Sequence, residues 1–101
     1  MQIVCSGTDG AAALEDVYVA GRMCACLSGP RTDAARVAEC VARSYATPFA
    51  ALAASADAAV LRAAGLGDDV EFCARESTFD AVGRVAGGAS GIASVVDPDA
   101  T

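Results

Sequence analysis

The sequence predicts an α/β layered fold with an incomplete sheet, and three observations carry the prediction. The apolar run Gln2-Ile3-Val4-Cys5 has the composition of a buried strand. Stretches with apolar residues at three- and four-residue steps follow it and read as amphipathic helices. Val70-Glu71-Phe72-Cys73-Ala74 then returns to a strand-like run. A strand, several helices and one or two further strands is the order of a layered α/β domain. So few strands make a poor sheet alone, and a buried strand beginning at the second residue has nothing upstream to pair with. A partner element outside the chain is therefore expected.

Taken in order, residues 2–5 form the first expected strand. Thr8 or Asp9 caps a helix over residues 11–27, which Ser28-Gly29-Pro30 ends. Its Leu14, Val17, Gly21, Cys24 and Leu27 fall on one stripe and are expected inward. Thr32-Asp33 opens a second helix over residues 32–45, with Val37, Cys40, Val41 and Tyr45 inward and Arg36, Glu39 and Arg43 outward. Thr47-Pro48, a hydroxyl cap followed by proline at the first helical position, starts a short apolar helix over residues 48–54. Ser55 caps the next helix, residues 56–64, and Gly65 suits the left-handed conformation that closes it. A second strand is expected over residues 70–74 and a third within 79–85. Residues 1–88 make up the folded domain. Residues 89–101 read as a flexible tail, although 92–96 have the composition to pair at a sheet edge.

At 101 residues the chain has the size of one domain. Hydrophobic residues make up 54% of it but aromatic ones only 5%, with no Trp, so alanine supplies much of the apolar fraction. Alanine removes little surface from water, and the core is expected to be thin. The net charge is −6, and all seven basic residues are Arg. Nucleic-acid binding, which wants a basic footprint, is not expected. The absence of His closes off Ser-His and Cys-His nucleophile pairs and His-ligated zinc within this chain. The five cysteines, an odd number at irregular spacing, are expected as buried, reduced thiols of a cytoplasmic protein. No apolar run reaches the ~18 residues of a membrane span, so no membrane partner is expected.

The candidate site lies where the first strand meets the first helix, the place at which α/β folds gather ligands. Ser6, Gly7, Thr8 and Gly10 would let backbone amides approach a phosphate closely, while an ordinary capped turn explains the same residues. Glu15 and Asp16 lie one turn into the helix. They complement its dipole on one reading and hold Mg2+ on the other, since that ion prefers carboxylate and phosphate oxygens. Cys5 is the candidate nucleophile, against a packing role, because a helix N-terminus lowers a thiol pKa. Arg75 can grip a phosphate or sulfonate through two parallel bonds, or be a plain surface Arg.

The run from Val4 to Gly10, with Ala13-Leu14-Glu15-Asp16, Ala20-Gly21, Ser55, Asp69 to Arg75 and Phe79-Asp80-Ala81-Val82, resembles the C-terminal part of the 2-phosphosulfolactate phosphatase family. The resemblance implies a three-layer α/β/α fold, present here as a C-terminal fragment with an incomplete sheet. It implies an Mg2+-dependent phosphatase that hydrolyses 2-phospho-3-sulfolactate, a small phosphorylated 2-hydroxy acid, in coenzyme M biosynthesis. Cys5, Gly7 and Gly10 match the family's strand-end loop, Glu15 and Asp16 its acidic pair, and Phe72, Cys73, Phe79 and Asp80 its late strand block. Family members are longer, and the partner expected is a missing N-terminal half or, failing that, a second copy in a homo-oligomer. The pattern departs at three places: a Gly after Ser55, an Asp near Ser77 and a Pro near Gly83 are absent. The alternative is a catalytically inactive half-domain that binds an anion or a partner chain.

Overall fold

The structure, a computed structural model, describes residues 1–87 and the backbone of residues 93–96. Among these residues the elements are α1 (Leu14–Ala25), α2 (Asp33–Arg43), α3 (Pro48–Ala53), α4 (Ala56–Ala63), α5 (Gly67–Cys73), β1 (Arg84–Gly87) and β2 (Ala93–Val96). The two strands form an antiparallel pair in which Arg84 faces Val96 and Gly87 faces Ala93. Helices and a strand pair thus coexist, as in a partial α/β domain, but the described residues do not assemble the three-layer arrangement. The flexible tail expected over 89–101 lies outside the described residues except at 93–96, where the expected edge pairing forms.

The helix starts follow local chemistry. The hydroxyls of Thr32, Thr47 and Ser55 accept hydrogen bonds from the backbone N–H groups of Ala35, Ala50 and Ala58 at 3.1–3.2 Å, each three residues on. Pro48 occupies the first turn of α3, and Gly65 closes α4 at φ +78°. The start of α1 differs from expectation: it begins at Leu14 with Ala13 as an N-cap that offers no side-chain bond. Thr8 and Ala11 instead exchange two backbone hydrogen bonds of 3.0 Å across Asp9-Gly10. Both central residues have positive φ, 50° and 78°, as the tight turn favoured by Asp-Gly requires.

Two expected strands do not form. Residues 2–5 run without regular structure, and Val4 is 82% exposed. A strand exists only against a partner, and no described segment lies alongside this one. Residues 70–74, read as a strand from alternating apolar positions, belong to α5. With no neighbouring strand the helix satisfies its backbone internally, Asp68 and Asp69 complement its first turn, and Val70 is its buried anchor. Of the third strand expected within 79–85, only Arg84 and Val85 lie in a strand, β1, which runs on to Gly87.

The core sits between α1 and α2. Gly21 lets the two helices touch: a Cβ there would lie 2.1 Å from the Ala38 carbonyl oxygen and 2.8 Å from the Ala42 Cβ. Tyr18 packs edge-on against Tyr45, with ring centroids 6.3 Å apart. Arg31 fastens the connection. Its guanidinium donates to the carbonyls of Cys24 at 2.7 Å, Leu27 at 2.6 Å and Gly29 at 2.9 Å, and pairs with Glu39. The Leu27 carbonyl is thereby satisfied, and the Cys24 carbonyl, which also accepts from the Leu27 N–H at 3.0 Å, gains a second donor. Glu39 is thus half-buried rather than outward, while Val37 and Cys40, expected inward, are exposed. The buried set is Ala13, Ala20, Ala38, Ala51 and Ala58 with Tyr18, Cys24 and Val70, the thin core that the composition implies. All five thiols are unbridged, but only Cys24 is buried. Cys5, Cys26, Cys40 and Cys73 are exposed.

Candidate active site

The segment that precedes α1 folds back over the helix start. The Asp16 carboxylate accepts from the backbone N–H of Gly7 at 2.9 Å and from the Ser6 hydroxyl at 3.4 Å. The Cys5 thiol makes a weak bond to the Asp16 carbonyl at 3.6 Å. Gly7 turns at φ +70°, where a Cβ would meet the Ala11 carbonyl oxygen at 2.5 Å, so only glycine fits. Asp16 thereby fixes the loop, and the loop's amides are largely committed: Gly7 to Asp16, Thr8 and Ala11 to each other.

Glu15 points to a different neighbour. Its Oε2 is buried with no hydrogen-bond partner among the described residues, and its carboxyl lies against that of Asp57 on α4. Burial first, and the shared proton with Asp57 second, push the Glu15 carboxyl above the ordinary glutamate range. Asp57 is held below the usual aspartate range by the bond from Glu15 and then by the Thr8 hydroxyl, which donates to its Oδ2 at 2.6 Å.

Cys5, Ser6, Glu15 and Asp16 line one cleft of about 380 Å³ with Cys73 at its far wall. Thr8 and Asp57 do not line this cleft; they bond to each other beside Glu15, and Gly10 serves the turn. Arg75 is not brought to this cleft; its guanidinium stacks 5.6 Å from the centre of the Phe72 ring. The guanidinium of Arg22 lines the adjoining cavity of about 260 Å³ and grips Glu76 through two bonds of 3.0 and 2.9 Å. Asp57 and Arg22 were not singled out from the sequence. A first-turn Asp after a Ser cap looks like dipole complement, and nothing local links it to a loop 49 residues away.

The sequence profile of the family described as 2-phosphosulpholactate phosphatase matches residues 1–88. A protein named as a probable 2-phosphosulfolactate phosphatase from Thermus thermophilus is 42% identical over 84 residues, 79% of this chain and 35% of its own length. One of the same name from Deinococcus radiodurans is 40% identical over 80 residues, 75% of this chain and 33% of its own. The chain spans about a third of the length of these curated relatives.

Proposed function

The chain belongs to the 2-phosphosulpholactate phosphatase family, and from that premise we propose that its carboxyl-lined cleft serves Mg2+-dependent hydrolysis of a phosphomonoester. The substrate class is a small 2-hydroxy acid, with 2-phospho-3-sulfolactate and water going to 3-sulfolactate and phosphate. The observation that carries this reading is the convergence of the Glu15 and Asp57 carboxyls beside a loop pinned by Asp16.

The donor set fits the ion. Glu15 has a buried oxygen without a partner, Asp57 is an ionised carboxylate against it, and Mg2+ takes one or two carboxylates while keeping water and phosphate oxygens. Glu15 and Asp57 would hold it, in place of the sequence-adjacent pair Glu15 and Asp16. Among the described residues no three His, Cys, Asp or Glu side chains form a closed metal cluster. When bound, Mg2+ neutralises charge on the transferring group and orients or activates water. The chain's own residues prepare that place. Thr8 fixes the Asp57 carboxylate by its hydroxyl bond, Asp16 holds the Ser6–Gly7 backbone in shape, and Glu15 offers its unpartnered oxygen beside Asp57.

Two measurements test the reading. Mg2+ titration by calorimetry should show binding that Glu15→Gln weakens. Phosphate release from 2-phospho-3-sulfolactate should require Mg2+ and fall by about 100-fold in Glu15→Gln and Asp57→Asn, while exposed Asp80→Asn leaves it unchanged. Binding and turnover unaffected by either Glu15→Gln or Asp57→Asn would refute the assignment.

A further inference from the structure

The tight turn that precedes α1 carries a chemically reactive dipeptide. Asp9 and Gly10 fill its two central positions and are both exposed. Neither the Asp9 carboxylate nor the Gly10 N–H makes a hydrogen bond among the described residues. Gly10 has no Cβ to shield its amide nitrogen, and the space that a Cβ would take is empty to 4 Å. The sequence contains no Asn, and none of its other aspartates precedes a glycine. Two sets of bonds hold the turn closed. Thr8 and Ala11 exchange their backbone bonds across it, and the Thr8 hydroxyl reaches Asp57 on α4 at 2.6 Å.

We propose that Asp9–Gly10 is a site of spontaneous isoaspartate formation, and that the modification unlatches Thr8 from Asp57. The Gly10 nitrogen attacks the Asp9 Cγ, an N–C bond forms, and the displaced carboxyl oxygen leaves as water with the amide proton. The product is a five-membered succinimide. Water then adds and breaks one of the two N–C bonds of the ring. When the bond to the Asp9 main-chain carbonyl breaks, the chain runs on through Cβ and Cγ as isoaspartate. Water is lost and regained, so no oxidant or co-reactant is needed and the mass does not change. Closing the ring takes Asp9 out of the turn conformation, so the reaction proceeds from openings of the turn, and the Thr8 bonds set how often it opens. The extra main-chain atom lies between the two Thr8–Ala11 bonds, whose two-residue spacing no longer fits, and the Thr8 hydroxyl loses its place at Asp57. The inference rests on the turn and not on the phosphatase chemistry.

The test is ageing of the purified chain in neutral buffer for weeks, followed by peptide mapping with electron-transfer fragmentation, which tells isoaspartate from aspartate at equal mass. Isoaspartate is expected at Asp9 in excess over Asp33 and Asp80, which precede alanine. Asp9→Glu, whose longer side chain would have to close a six-membered ring, should abolish it. Thr8→Val should raise the rate of formation by about fivefold, the gain in open turns from losing one net hydrogen bond. In the separated isoaspartyl species the Thr8 and Ala11 amides should exchange faster than in the unaged chain. Retained helical circular dichroism in the aged chain and in Thr8→Val separates opening of the turn from unfolding. Isoaspartate at Asp9 no more abundant than at Asp33 or Asp80, a rate that Thr8→Val leaves unchanged, or unchanged exchange at Thr8 and Ala11 would each overturn the proposal. Because the readouts are a covalent linkage and amide exchange, a failure here leaves phosphate release and Mg2+ binding to be judged on their own.

Discussion

The Glu15 carboxyl, crowded by burial and by Asp57, makes stability respond to pH in a definite direction. Its folded pKa lies above the unfolded value, so between the two the folded state holds the extra proton and stability falls as pH rises. Asp57 acts oppositely: its folded pKa lies below the unfolded value, and its contribution is lost as pH falls through the acid range. Thermal melts should therefore show stability rising up to about pH 4 and declining above it, with the decline absent in Glu15→Gln. A flat profile in the parent chain would remove the shared proton. Arg31 is the second residue on which much depends, because it satisfies three carbonyls and one carboxylate at once. Arg31→Met removes a donor from the part-buried Cys24 and Leu27 carbonyls and the near partner of Glu39, and should cost about 1–3 kcal/mol in urea unfolding. Glu15 and Asp16 were legible in the sequence as acids one turn beyond a glycine-bearing loop, and they stand there. Their division of labour was not, since adjacent helix residues point about 100° apart and only the tertiary neighbours, Asp57 and Gly7, reveal what each one meets.

Helix boundaries followed rules that act within a few residues, which is why Thr47, Ser55 and Gly65 were readable as caps and stops. Residues 2–5 and 70–74 were misread because a short apolar run fits a strand or one turn of buried helix equally well, and pairing is decided by chain distant in sequence. The Asp9-Gly10 turn was taken for a helix cap because acid-plus-glycine serves both ends. Contact between α1 and α2 makes the clearest prediction at this scale. In Gly21→Ala the added methyl has backbone, not a movable side chain, in its way at 2.1 Å. The helices must separate, with a loss of about 3 kcal/mol or more. Ser28→Ala in the exposed connection should be silent by comparison. Equal urea midpoints for the two variants would show that the helices approach less closely than described.

Among the described residues five of the eight buried apolar residues are alanines and no large side chain is wholly enclosed, so little surface leaves water when the chain folds. The Cα radius of gyration, 15.5 Å, exceeds the roughly 13 Å of an ordinary domain of this length. The isolated chain should accordingly sit at or below the lower end of the usual range of about 5–15 kcal/mol, measured by urea unfolding. Four thiols should react quickly with a chromogenic disulfide in the folded protein and Cys24 slowly. Rapid reaction of all five would mean that α1 and α2 do not stay packed. The Arg31 strap has a consequence in time as well. It ties the end of α1 to the middle of α2 across the short connection between them, so the loop that brings Gly21 to Ala38 closes at little entropic cost and within about a microsecond. That helix pair is then the nucleus on which the remaining elements condense, and Gly21→Ala should slow refolding rather than hasten unfolding.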